Sequence, residues 1–303
     1  MITAMAPIKE HTAEVALDVH AQLGEGPVWD ERKQRLYFVD IMGHRVHAFD
    51  PVTKADVSFD VGRPVGAVVL REDGGLVLAA HDAFFLAEAD GSGARPFGNA
   101  DVDGTAVRFN DGKVCPRGRF LAGTMAWTKR SSVGSLYLLD GDGLVTVLLD
   151  EVTISNGLAW SHDGRTVYYI DTPRHSVDAF DYDLETGLIS NRRVVYEVPD
   201  ASPDGMTIDS EGFLWVAVWG GSRVERFDPA TGRLQEVVHV STSHVSSVAF
   251  GGANLDDLFI TTAREDLTDE ELAAEPDAGN LFVVRPGVKG LPANRFKLQA
   301  EAA

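Results

Sequence analysis

Four pairs of residues carry the chemistry that stands out in this chain: Glu25-Gly26, Asp111-Gly112, Asn156-Gly157 and Asp204-Gly205. Taken singly, Asp-Gly and Asn-Gly are ordinary turn formers, whereas Glu has no such preference. Brought together, the four would place three carboxyls and an amide in one small ring. Clustered carboxylates repel one another and resist desolvation unless protons or a cation neutralise them. A divalent metal held by oxygens is the economical explanation, and such a donor set suits calcium, magnesium or manganese and tolerates zinc.

Convergence of residues so far apart requires a repeat. One pattern recurs along the chain: a small polar-glycine opening, an apolar run, a turn, and two further strands. It is clearest at Ser155–Asp171 and Pro203–Val218, followed by the similar turns Asp181–Gly187 and Asp228–Gly232. Gly24–Asp50 and Asp111–Leu139 are further copies, and Val65–Ala89 and Ser246–Val284 are weaker ones. The blade-opening positions are Glu25, Val65, Asp111, Asn156, Asp204 and Ser246, at steps of 40, 46, 45, 48 and 42 residues. That period fits one four-stranded propeller blade. The expected fold is an all-β, six-bladed β-propeller that absorbs residues 1–303 as one domain. The alternating run Glu14–Val19 is the expected ring-closing strand, since an open propeller leaves sheet edges bare. Thr268-Asp-Glu-Glu271 is a capping box that predicts a short helix inside blade six. The ends, Met1–Pro7 and Gln299–Ala303, carry no pattern and are expected to be loose. In a propeller each blade's first strand lines the central channel, so the opening residues meet near the axis. A purely structural role favours small or apolar residues there, as at Val65 and Ser246.

Other chemistries find no support. The 46 acidic residues against 27 basic give a net charge of −19, which excludes a general phosphate-backbone binder and docking on anionic lipid. Met1–His20 has no unbroken apolar run and is no signal peptide, and nothing approaches a membrane span. Cys115 is the only cysteine, so no intramolecular disulfide forms; a cytosolic protein is expected. The histidines, His44, His47 and His81 among them, show no paired helical spacing for a zinc protease site, and His175 reads as a surface loop residue. Gly141-Asp-Gly143 lacks the following Lys-Ser/Thr of a phosphate cradle. Ser131 and Ser132 lack a nucleophile-elbow context. Trp29, Trp160 and Trp215 read as blade core, whereas Trp219 is a candidate pocket wall.

Seven segments in order resemble the senescence marker protein/gluconolactonase family, whose animal members are the regucalcins. They are Leu23-Gly-Glu-Gly-Pro-Val-Trp29, Arg108-Phe-Asn-Asp-Gly-Lys-Val114, Phe120-Leu-Ala-Gly-Thr-Met125, Ile154-Ser-Asn-Gly-Leu-Ala-Trp160, Ser176–Asp183, Pro203-Asp-Gly-Met206 and Pro276-Asp-Ala-Gly279. The resemblance spans nearly the whole chain and implies the same propeller. It implies a metal on Glu25, Asn156 and Asp204, with Arg108 and Asn110 on the sugar and Asp111 nearer substrate and bound water than the metal. The implied activity is metal-dependent hydrolysis of sugar lactones to aldonic acids. One departure stands out: Trp127 and Thr128 occupy the place of two acidic residues, the second of which contacts the sugar in animal members. An indole can stack on a sugar face but cannot accept hydroxyl hydrogen bonds.

On this reading Asp204 is the candidate general base, with metal-bound hydroxide the alternative, Arg108 and Asn110 orient hydroxyls, and Asp111, Trp127 and Thr128 complete the substrate pocket. The partner is a small neutral lactone, with no nucleic acid and no membrane, and the protein is a monomer or weak oligomer. Three alternatives stay open: a non-enzymatic calcium-binding regulatory protein, a calcium-dependent propeller phosphotriesterase or lactonase of another substrate class, and an interaction scaffold. Arg108 and Asn110 favour the enzyme, because a metal buffer needs no cationic clamp beside its ion.

Overall fold

The strands run outward from a central axis in six sheets. A computed structural model describes residues 7–299. The innermost strands of blades one to six are Gly24–Asp30, Val65–Leu70, Val107–Val114, Ser155–Trp160, Ser202–Ile208 and Val245–Gly251. Each packs against the next, and the sixth returns to the first, so the ring is closed. The fold is an all-β, six-bladed propeller.

Burial explains the composition of each strand. Innermost strands are covered on both faces, and Val65–Leu70 and Ser155–Trp160 are buried at every position. Outermost strands are open to solvent; Ile189–Glu197 is mostly exposed and carries Asn191, Arg192 and Arg193. Six separate apolar wedges take the place of one central core, one between each pair of neighbouring blades. Trp29, Phe38 and Phe259 fill the wedge between blades six and one, Trp160 that between three and four, and Trp215 that between five and six. The expected core tryptophans are therefore buried. Cys115 is a buried free thiol in the Trp160 wedge.

Blade six takes its fourth strand from the start of the chain: Glu14–Leu17 pairs antiparallel with Leu281–Val284. Just before it, Lys9–Thr12 adds a parallel fifth strand to blade five, against Arg233–His239. That addition was not foreseen, and it covers an otherwise bare sheet edge. The helix Asp269–Ala274 interrupts blade six with both halves of the Thr268/Glu271 capping box formed. Residues 1–6 and 300–303, for which looseness is expected, lie outside the described residues. Gln299, expected to be loose as well, is tied down by its N–H to the Gly141 carbonyl at 3.0 Å. No helix among the described residues is long and apolar enough to cross a membrane.

Candidate functional site

All six innermost strands lose register against their second strand at the blade-opening residue. The irregularities fall between Glu25 and Val28, Val65 and Ala67, Phe109 and Gly112, Asn156 and Leu158, Pro203 and Met206, and Val245 and Ser247. A bulge re-aims the side chain at its position and bends the strand, and here that happens at the same height in every blade. The polar-glycine pairs are thus strand bulges rather than turns. Gly157 has a packing reason of its own: a Cβ there would lie 2.7 Å from the Asp204 carbonyl oxygen of the next blade. Only glycine lets the two site strands approach so closely.

The segments feeding the site are clamped by one device used twice. Asp40, at the end of the second strand of blade one, accepts the N–H groups of Gln22 and Leu23, both at 3.0 Å. Asp171, its counterpart in blade four, accepts those of Thr153 and Ile154 at 3.2 and 2.9 Å. Glu25 and Asn156 follow these anchored segments directly.

Glu25, Arg108, Asn110, Asn156 and Asp204 line one cavity of about 160 Å³. All five are buried. A chain of hydrogen bonds joins Arg108, Asn110 and Asn156. Arg108 Nη1 donates to Asn110 Oδ1 at 2.7 Å and to the Phe109 carbonyl at 3.0 Å. Asn110 Nδ2 donates to Asn156 Oδ1 at 2.9 Å and to the Ser155 carbonyl at 2.8 Å. Asn156 Nδ2 donates to Thr172 Oγ1 at 2.8 Å, which in turn donates to the Pro203 carbonyl at 2.9 Å. The Asn156 amide oxygen is thereby fixed toward Asn110, with one lone pair left over.

Electrostatics at the carboxylates are unfavourable. Burial, followed by repulsion from Asp204 and Asp111, holds the Glu25 carboxyl well above the usual range. Asp204 is raised by burial and then by Asp111. Asp204 Oδ1 is buried with no hydrogen-bond partner. Arg108 is pushed down to about 10 by burial, although Glu265, Glu25 and Asp204 all favour its charge. The residues fit a divalent cation: two desolvated carboxylates, one with its Oδ1 unpartnered, and an amide oxygen form an all-oxygen donor set. Among the described residues there is no cluster of three or more His, Cys, Asp or Glu with metal-ligand placement; beside the two carboxylates the cavity offers the Asn156 amide oxygen.

Not every residue singled out from the sequence joins this cavity. Asp111 lines a second cavity of about 240 Å³, together with Lys113, Trp29 and Trp160. Its Oδ1 accepts the Gly112 N–H at 2.6 Å. Trp127 does not line the first cavity either, but its ring lies 5.7 Å from the Arg108 guanidinium and its indole N–H donates to the Gly104 carbonyl at 3.0 Å. Thr128 is exposed, with only Ser131 Oγ at 3.5 Å. His175 is exposed and bonds the Ala201 carbonyl at 2.8 Å. Trp219 does form part of the wall, stacked on His244 with ring centroids 4.1 Å apart. Lys129, Thr172, Glu265 and Asp266 also line the cavity and were missed. They sit in loops outside the repeat, where periodicity carries no signal.

The fold and site together define a class: six-bladed propellers with a buried carboxylate, amide and guanidinium cluster in the channel. Residues 23–264 match the SMP-30/Gluconolactonase/LRE-like region family, and the chain belongs to that family. It is 43% identical over 287 residues to regucalcin of Oryctolagus cuniculus, covering 92% of this chain and 96% of that protein. A calcium-binding protein, regucalcin, from Agrobacterium tumefaciens superposes with a TM-score of 0.92 at 26% identity, over 97% of this chain and 100% of that one. A gluconolactonase from Xanthomonas campestris superposes with a TM-score of 0.71 at 26% identity, over 89% of this chain and 87% of that one.

Proposed function

We propose that the protein is a divalent-metal-dependent hydrolase of sugar lactones. The observation that carries this is the desolvated Glu25–Asp204 pair, with Asp204 Oδ1 unpartnered, beside the buried guanidinium of Arg108. The gluconolactonase relationship supports the reaction class, and the calcium-binding neighbour supports the cation. Glu25, Asn156 and Asp204 would hold the ion. When bound, it would polarise the lactone carbonyl as a Lewis acid.

The chain's own groups divide the remaining work. The cavity is small beside the roughly 300–1,000 Å³ of sites for drug-sized ligands, which restricts the substrate to about one sugar ring. Arg108 uses Nη1 for protein acceptors; its other N–H groups are left for substrate hydroxyls. Asn110 is bonded at both ends of its amide, so its main role is to hold Arg108 and Asn156 in place. Trp127 stacks against the guanidinium and positions it from outside the cavity. Water attacks the lactone carbonyl carbon, and Asp204 takes a proton from that water. The new carbon–oxygen bond forms, the bond to the ring oxygen breaks, and Asp204 returns its proton to the departing oxygen to give a hydroxy acid.

A purely calcium-binding role leaves the buried Arg108 clamp without a use. Acid release from sugar lactones, measured at constant pH against the spontaneous rate, tests the proposal. Asp204→Ala in metal-replete protein is expected to remove turnover, and near-normal rates would remove Asp204 from the mechanism.

A further inference from the structure

The wall of the cavity that holds Glu25 and Asp204 carries a further carboxylate with a different character. Glu265 comes from the loop that follows Asp257–Thr262 in blade six, and it lines the cavity with Arg108. Its backbone is pinned at both ends: its N–H donates to the Gln22 carbonyl at 2.8 Å, and its own carbonyl meets His244 Nδ1 at 2.9 Å. Its side chain is 18% exposed, and Oε2 accepts from Lys129 Nζ at 2.9 Å. Lys129 reaches across from blade three and also bonds Asp266 at 2.7 Å. Oε1 has no protein donor among the described residues.

This bridge is held in place at some cost. Lys129 and Asp266 adopt φ of 58° and 65°, left-handed backbone that a non-glycine residue takes up only against strain. Both loops take up this conformation where they meet over the cavity. Glu265 is also the strongest favourable charge acting on Arg108. A fixed carboxylate beside a fixed guanidinium presents acceptors and donors to one occupant, as adjacent hydroxyls of a polyol require.

We infer that Glu265 is the hydroxyl-accepting specificity residue of the cavity, and that Lys129 is the positioning residue that holds it. The inference rests on the lactonase reading and deepens it. Trp127 and Thr128 bring no carboxylate to the cavity, and Glu265 brings one from another blade. The cavity thus selects polyhydroxylated lactones over bare ones.

The test compares glucono-δ-lactone with δ-valerolactone, which has the same ring and no hydroxyls, in the metal-loaded wild type and the Glu265→Gln, Lys129→Met and Lys129→Arg variants. Removing a charged acceptor from a ligand hydroxyl is worth about tenfold or more. Glu265→Gln is expected to raise KM for the hydroxylated lactone about tenfold with little change in kcat, and to leave δ-valerolactone unaffected. Lys129→Met should move KM in the same direction, and Lys129→Arg should restore it. Equal effects on both lactones, or none on either, would overturn the inference while leaving lactone turnover intact. Binding of 1,5-anhydro-D-glucitol by calorimetry provides a readout independent of turnover. If no lactone is hydrolysed yet this polyol binds about tenfold more weakly to Glu265→Gln, the inference stands and the hydrolase proposal fails. If binding is also insensitive to Glu265, both fail.

Discussion

Replacing Asp204 by Asn isolates the electrostatic strain at the site. Asp204 Oδ1 is buried without a protein partner, and burial with neighbouring carboxylates holds both the Glu25 and Asp204 carboxyls above their ordinary values. A buried polar atom left unsatisfied costs roughly 1–3 kcal/mol. Asn is isosteric, carries no charge and can donate Nδ2 toward Glu25. Asp204→Asn should therefore stabilise chelated protein by roughly 1–3 kcal/mol. At about 2 °C per kcal/mol for a chain of this size, that is a rise in Tm of about 2–6 °C. Calcium should reverse the order. A ligand at one hundred times its Kd adds about 2.7 kcal/mol, and the wild type alone should gain it in full. Differential scanning calorimetry at pH 7.5, with chelator and then with excess calcium, reads both effects. A chelated variant no more stable than chelated wild type would refute the claim that the site is strained without its cation.

The same cluster dictates a pH dependence. The folded carboxyls of Glu25, Asp111 and Asp204 titrate above their unfolded values, so the folded state binds more protons between the two. Their contribution is therefore most favourable below the unfolded values, 4.5 for the Glu and 3.8 for the two Asp, and declines as pH rises through the folded ones. Calcium competes with those protons, so the calcium-induced rise in Tm should grow from pH 5.5 to pH 8. Asp204→Asn should flatten the trend, and a trend of the same slope in the variant would place its origin elsewhere. Gly157→Ala forces a Cβ to within 2.7 Å of the Asp204 carbonyl oxygen. It should cost roughly 1–3 kcal/mol and weaken calcium binding together with stability, seen as a lower Tm and a higher Kd in calorimetric titration.

How much of this was legible in the sequence depends on which residues obey the repeat. Glu25, Asn156 and Asp204 share a phase across three blades, and a period near 45 residues brought them together on paper as it does in space. Asp111 shares that phase and yet faces the other cavity. The bulge in blade three holds two residues, Asn110 and Asp111, between the paired positions Phe109 and Gly112. Neighbouring side chains on a strand point to opposite sides, so Asn110 takes the site and Asp111 does not. A one-residue choice within a bulge leaves no trace in spacing. The Lys129–Glu265 bridge was hidden for another reason: its partners are 136 residues apart, in loops of blades three and six. The parallel strand Lys9–Thr12 was equally silent, because its exposed, polar Lys-Glu-His-Thr lacks the alternation that marked Glu14–Leu17.

The central claim is that the cation-loaded cluster of Glu25, Asn156 and Asp204 opens sugar lactones, and acid release at constant pH tests it most directly. Wild-type protein would be assayed on glucono-δ-lactone before chelation, after chelator removal of divalent ions, and after return of calcium, manganese, magnesium or zinc. Hydrolysis above the spontaneous rate is expected, with its loss on chelation, its return with at least one of these ions, and no return in Asp204→Ala. Full activity in chelated wild type, or equal activity in Asp204→Ala, would contradict the claim.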